Sequence, residues 1–309
     1  MKEQYEKIRS GQDGLALEVL TVIPEGPVRG IFQIHHGMSE YKERYLPFMR
    51  FMAKQGYAAV IHDCRGHGKS VRSREDLGYM YGAGKMALVE DTRQILAVMK
   101  KRWPGRPVIL LGHSMGSLVV RTFLKRYDQE INLLVVCGSP GRNPLLGAGK
   151  LLAAAEQCLF GSRHRAKLIE ALSFGPYAWK FAGENSRFAW CCSDPEVVAA
   201  YDASPYCGFT FTVDGYQTLF SLMEETYSAR GGKCDHPDLP VLFVAGRQDP
   251  CIGGVKGFDQ AVEHLRHMGY RNVTAKLYDG MRHEILNEKQ KEQVYRDILQ
   301  FVKEKLSEK

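Results

Sequence analysis

Gly112-His113-Ser114-Met115-Gly116 is the segment of this 309-residue chain best suited to covalent chemistry. A serine hydroxyl is a weak nucleophile at neutral pH. It needs a base to take its proton and a third group to orient that base. The G-x-S-x-G pattern alone arises often by chance. Here it directly follows the apolar run 108–111 and opens a helical pattern over 117–127. Strand, sharp turn and helix are the setting of a nucleophile elbow, whose strained turn presents the hydroxyl at the sheet edge. Two glycines suit a turn crowded by neighbouring chain. A serine that only caps a helix has no need of them. Ser114 is therefore the candidate nucleophile.

In an elbow fold the partners follow in the order serine, acid, histidine, each after a later strand. Asp249, in Arg247-Gln248-Asp249-Pro250, follows the strand-like run 241–245. Asp235 and Asp238 precede that run, and Asp259 lies in a helical pattern. Asp279, after the last strand, remains a rival, and Asp249 taken alone is also a turn-forming Asp-Pro. His283 follows the last strand, whereas His264 and His267 sit in a helix. Acyl transfer also needs backbone N–H groups aimed at the developing oxyanion. Met115 supplies one. Met38, in His35-His36-Gly37-Met38-Ser39-Glu40, is the expected second, with Gly37 turning the backbone closely beneath the substrate. Gly37 and His113 are assigned to substrate binding. Asp63, Arg65 and His67 are read as scaffolding of a tight loop. This chemistry calls for no metal and no cofactor.

Several elements must position these groups. Runs 15–22, 30–35, 57–62, 108–111 and 133–137 read as strands, and 45–54, 87–99 and 117–127 as helices. Such alternation predicts an α/β fold: a mostly parallel sheet with helices on both faces. Between 140 and 236 only helical pieces and turns follow. Strands return at 241–245 and 273–278, and helices at 255–267 and 288–305, the last with Asn287 as its expected N-cap. One sheet interrupted by a helical insertion accounts for this order.

Composition narrows the class further. Hydrophobic residues make up 44% and charged residues 25%, ordinary for a globular enzyme. The longest apolar stretch, 145–155, is broken by Gly147, Gly149 and Lys150, so no membrane span is expected. The first residues are polar and unlike a signal peptide, which points to the cytoplasm. Eight scattered cysteines without Cys-x-x-Cys spacing read as reduced thiols. The net charge of +7 comes with no nucleic-acid module. The basic stretch 163–167 reads as a solvated helix face, with attraction to an acidic lipid surface as its alternative.

Taken together, His36-Gly37, Glu40, Arg44-Tyr45, Asp63-Cys64-Arg65-Gly66-His67-Gly68-Lys69-Ser70, the Ser114 pentapeptide, Gly246-Arg247-Gln248-Asp249-Pro250 and His283-Glu284 resemble the monoacylglycerol lipase and lysophospholipase branch of the α/β-hydrolases. The resemblance implies the α/β-hydrolase fold, with a core of 1–140 and 236–309 and a helical cap over 141–235. It implies a triad of Ser114, Asp249 and His283, oxyanion donors at Met38 and Met115, and a lipid-like ester as substrate, with transient membrane contact through the cap. Cys64 and Cys251 depart from the branch's usual choices. Trp179, Phe181, Trp190, Tyr206, Phe209 and Phe211 are candidates for an acyl pocket or for the cap's own core. Two other readings stay open. One is a small-substrate peptidase gripping an amino terminus with Glu184 or Glu224. The other is a ligand-binding protein with little turnover. The oligomeric state is not legible.

Overall fold

Val108-Ile109-Leu110-Leu111 is apolar on both sides of its pleat, so it requires cover on both faces. In the computed structural model, which describes residues 1–228, 232 and 234–307, this run belongs to β5 (Val108–His113), buried along its whole length. Val108 and Leu110 face one core and Ile109 and Leu111 the other, as the two-residue period of a strand dictates. On the first face pack α2 (Gly84–Arg102), α3 (Met115–Tyr127) and α8 (Gly254–His267). On the second pack α1 (Leu46–Lys54) and α9 (Lys291–Ser307).

The other strands are β1 (Lys2–Arg9), β2 (Ala16–Ile23), β3 (Gly30–His35), β4 (Tyr57–His62), β6 (Leu133–Cys137), β7 (Val241–Gly246) and β8 (Val273–Tyr278). They form one sheet in the order β1-β2-β4-β3-β5-β6-β7-β8. From β4 to β8 it is parallel, and β1 and β2 are antiparallel at one edge. The chain moves from β3 outward to β4, then returns to place β5 on β3's other side. Loops after β3 and β5 therefore diverge from a switch point at the carboxyl edge, where such sheets bind ligands. This topology brings the 36–40 loop beside the serine turn.

Between β6 and β7 the chain adds α4 (Leu146–Phe160), α5 (Lys167–Lys180), α6 (Pro195–Ala203) and α7 (Val213–Tyr227). Helix α7 packs against α2, α3 and α4, which anchors the insertion on the core.

Three expectations need correction. Strand β1 was not foreseen in Lys2-Glu3-Gln4-Tyr5-Glu6-Lys7-Ile8-Arg9, because an edge strand held by its ladder to β2 needs no apolar face. Helix α9 begins at Lys291, and Asn287 does not cap it. Glu288 is instead buried, accepting hydrogen bonds from the Ser193 amide and hydroxyl and from the Arg282 amide. That tertiary contact holds 285–290 in turns. Arg163 and Arg165 are not on a helix face. They lie in the α4–α5 loop, where Arg163 pairs with Asp76 at 2.5 Å and Arg165 donates to the carbonyls of Glu75, Leu77 and Thr210. The basic stretch thus ties the insertion to the core.

Candidate active site

Ser114 follows β5 directly and caps α3 with φ 53° and ψ −119°. A non-glycine residue held there costs on the order of 1–3 kcal/mol, so the surroundings must enforce it. They do so by close packing. A Cβ on Gly116 would lie 2.2 Å from the His35 carbonyl oxygen, so α3 can start beside β3 only with glycine there. The Ser114 amide donates to the Cys137 carbonyl at 3.0 Å, tying the turn to β6.

Asp249 follows β7 and His283 follows β8. His283 Nδ1 lies 2.8 Å from Asp249 Oδ2, and the Cys251 amide donates to Asp249 Oδ1 at 2.8 Å. Both side chains are buried. Asp279 is 84% exposed and pairs with Arg247 at the surface.

The 36–40 loop crosses directly against the serine. A Cβ on Gly37 would sit 3.0 Å from Ser114 Cβ and 2.7 Å from Glu40 Oε1. Met38 and Met115 line the same cavity as Ser114 and His283. Histidines bind this loop to the one at 63–70: the Cys64 amide donates to His36 Nε2 at 2.9 Å, and the Ser39 amide to His67 Nε2 at 3.1 Å. Asp63 accepts from the Lys42 amide and ammonium, and Arg65 is buried against Asp13 and Asp91.

Beneath the site lies a buried charge network of which the local pattern carries little sign. Glu40 Oε1 accepts from the Gly37 amide at 2.6 Å and the Tyr45 hydroxyl at 2.9 Å. Arg44 bridges Glu40 Oε2 at 2.8 Å and Glu284. His113 Nδ1 is 3.2 Å from Glu40 Oε1, and its Nε2 is 3.2 Å from the His283 carbonyl oxygen. Burial disfavours the charged form of His113, but the hydrogen bond to Glu40 and its charge win and raise the imidazole above its ordinary range. Burial likewise opposes the Glu40 carboxylate. His113 and Arg44 outweigh it and hold that carboxyl well below the usual range. Both ring nitrogens of His113 thus face protein groups, although the residue borders the cavity. The one available signal was local: Glu40 and Arg44 stand four apart, and Glu284 directly follows His283.

The cavity holds about 500 Å³ and is walled mostly by the insertion. Leu219, Phe220 and Met223 of α7 line it, with Phe174 and Tyr177 of α5. Of the six aromatic candidates, Trp190 and Phe209 line it. Trp179 is 82% exposed, and Phe211 is fully buried among core residues. Phe181 packs under the Arg282 guanidinium and Tyr206 against Tyr41.

Comparison with known proteins places the chain by family and fold. The family model described as serine aminopeptidase, S33, matches residues 26–290. A monoacylglycerol lipase from Mycolicibacterium smegmatis is 27% identical over 293 residues, 95% of each chain. Phospholipase YtpA from Bacillus subtilis is 24% identical over 275 residues, 88% of this chain and 94% of the relative. A thermostable carboxyl esterase from Bacillus coagulans, solved with glycerol, superposes with a TM-score of 0.90 at 24% identity, covering 98% of both chains. The shared architecture is the α/β-hydrolase fold.

Proposed function

Because the chain belongs to the serine aminopeptidase, S33, family of hydrolases, we propose that it hydrolyses carboxylic esters of monoacylated lipids through an acyl-enzyme on Ser114. One observation carries this reading: Ser114 and His283, whose Nδ1 is held by buried Asp249, open onto one largely apolar cavity. In the proposed mechanism His283 takes the Ser114 proton as Oγ attacks the ester carbonyl. Asp249 holds the imidazole tautomer and stabilises the cation that forms. The amides of Met38 and Met115 receive the oxyanion. His283 then protonates the departing alcohol, and water, activated by the same base, releases the acid. Gly37 lets the backbone approach the substrate. His113 borders the substrate cavity while positioning the Gly37 and His283 loops.

We assign residues 141–235 as a cap over a core of 1–140 and 236–309, with the apolar cap wall receiving the acyl chain. The names of the monoacylglycerol lipase and phospholipase relatives support a lipid-like ester. A peptidase would need a carboxylate for the substrate amino terminus, but Glu184 pairs with Arg282 and Glu224 with Lys150. Helices α4 and α5 expose Leu151 at 75%, Leu159 at 73%, Leu172 at 63% and Trp179 at 82%. An apolar surface of this kind suits contact with a lipid layer. No helix among the described residues is long and apolar enough to cross a membrane.

A fluorophosphonate probe tests the mechanism. It should label Ser114 covalently, and Ser114→Ala should abolish both labelling and ester turnover. An adduct mapped to any other residue refutes the assignment. A panel of esters varied in acyl length tests the substrate class: kcat/KM should rise by about 0.8 kcal/mol for each methylene buried, then plateau.

A further inference from the structure

Cys251 plays no part in the mechanism above, yet it stands beside it. One nitrogen of His283, a carboxylate oxygen of Asp249 and Sγ of Cys251 all lie within 4.8 Å of one another. All three residues are buried, and both His283 and Cys251 border the cavity. Imidazole, carboxylate and thiolate are the ligand types that a thiophilic divalent cation such as Zn²⁺ selects. With zinc–sulfur and zinc–nitrogen bonds of about 2.3 and 2.1 Å, tetrahedral ligands stand roughly 3.5 Å apart, so the widest pair, at most 4.8 Å apart, closes by about 1.3 Å and the 2.8 Å His283–Asp249 contact opens by about half an ångström. The cavity leaves room for water as a fourth ligand.

We propose that these three residues form an inhibitory site for a thiophilic divalent cation of the Zn²⁺ type, reached from the substrate cavity. The proposal rests on the triad reading for its inhibitory effect, but not for the binding itself. On binding, the cation forms a bond to Cys251 Sγ and the thiol proton leaves to solvent, with no electron transfer. Nδ1 of His283 and the Asp249 oxygen become ligands and the Nδ1 proton moves to Nε2, so His283 loses both the partner that orients it and the lone pair that serves as base.

Two measurements test the site. In the first, chelator-buffered Zn²⁺ is titrated against turnover of a soluble p-nitrophenyl ester, each variant being normalised to its own metal-free rate. Loss even of outer-shell partners costs metal sites about 10–100-fold in affinity, so Cys251→Ala should need at least about tenfold more Zn²⁺ for half-inhibition. Excess chelator should restore activity, and Mg²⁺ and Ca²⁺, which prefer oxygen ligands, should not inhibit at the same concentrations. Equal Zn²⁺ sensitivity of the wild type and Cys251→Ala overturns the proposal, as does inhibition that a chelator cannot reverse. In the second, Cd²⁺ is titrated into the Ser114→Ala protein and the ultraviolet cadmium–thiolate band is followed. Adding Cys251→Ala to that background should remove one equivalent of the band, and adding His283→Ala should weaken its affinity at least about tenfold. A band unaffected by His283→Ala means a lone thiol and sinks the three-ligand site. If turnover proves independent of Ser114, the mechanism falls, but the cadmium titration still decides the metal site.

Discussion

Replacing Glu40 by Gln removes the carboxylate on which the buried network converges while keeping the side chain's size. In the native protein this group is 2% exposed and faces the Gly37 amide, the Tyr45 hydroxyl, Arg44 and His113. Arg44 keeps Glu284 as a partner, but His113 loses its counter-charge. Breaking a buried ion pair by removing one partner costs about 3–5 kcal/mol, because the remaining charge stays desolvated. For a chain of this size that is a fall in Tm on the order of 10 °C. The kinetic effect follows from the Gly37–Glu40 hydrogen bond, which holds the turn carrying the Met38 amide, the proposed oxyanion donor. Complete loss of an oxyanion donor costs about 10²–10³ in kcat, so loosening one should cost on the order of 10–100, with KM little changed.

The pH dependence of that variant has a definite sign. The Glu40 contribution is fully present above the unfolded carboxylate value of about 4.3 and fades as pH falls through its depressed folded value. The His113 contribution is fully present below the unfolded imidazole value of about 6.5 and fades as pH rises through its raised folded value. The stability gap between wild type and Glu40→Gln should therefore be widest from about pH 4.5 to 6.5 and narrow on either side. Urea denaturation across that range, with ester kinetics at each pH, measures both effects. A variant with unchanged midpoint and kcat within twofold of wild type would show that the network is incidental to the site.

Other outcomes follow from the same geometry. Asp249→Asn should keep the fold and lower kcat on the order of 10⁴, as in the best-studied triad, whereas exposed Asp279→Asn should leave it unchanged; steady-state kinetics of the two variants reverse the choice of acid if the ranking inverts. Gly116→Ala places a methyl 2.2 Å from the His35 carbonyl oxygen and should reduce both thermal stability and fluorophosphonate labelling. Labelling at the wild-type rate would contradict the crowded-elbow argument. Leu151→Glu with Leu159→Glu should slow turnover of a long-chain monoacylglycerol in vesicles but spare a soluble short-chain ester. Equal loss on both substrates argues against membrane contact through the cap.

The sequence by itself carried the order of the core and the neighbourhoods of its chemistry. Strands β3, β4 and β6 were read at their observed limits, because buried parallel strands are continuous apolar runs that polar segments interrupt. Gly112 to Gly116 could be placed because strand, turn and helix adjoin in the chain. Asp249 and His283 stand out as candidates by their position after later strands, a fact of chain order. Strand β1 escaped because its stability lies in the ladder to β2. The start of α9 was misplaced because a distant partner, Ser193, turns Glu288 inward against its local helical preference. Only the tertiary structure shows that Asp249 and not Asp279 meets His283, since that contact depends on how two loops converge across the sheet. It alone separated Trp190 from exposed Trp179, and joined Glu40 to His113, 73 residues apart in the chain. Local pattern reports which face of an element is apolar. Ion pairs and cavities are made by groups distant in sequence, so their partners are fixed only when the chain closes on itself.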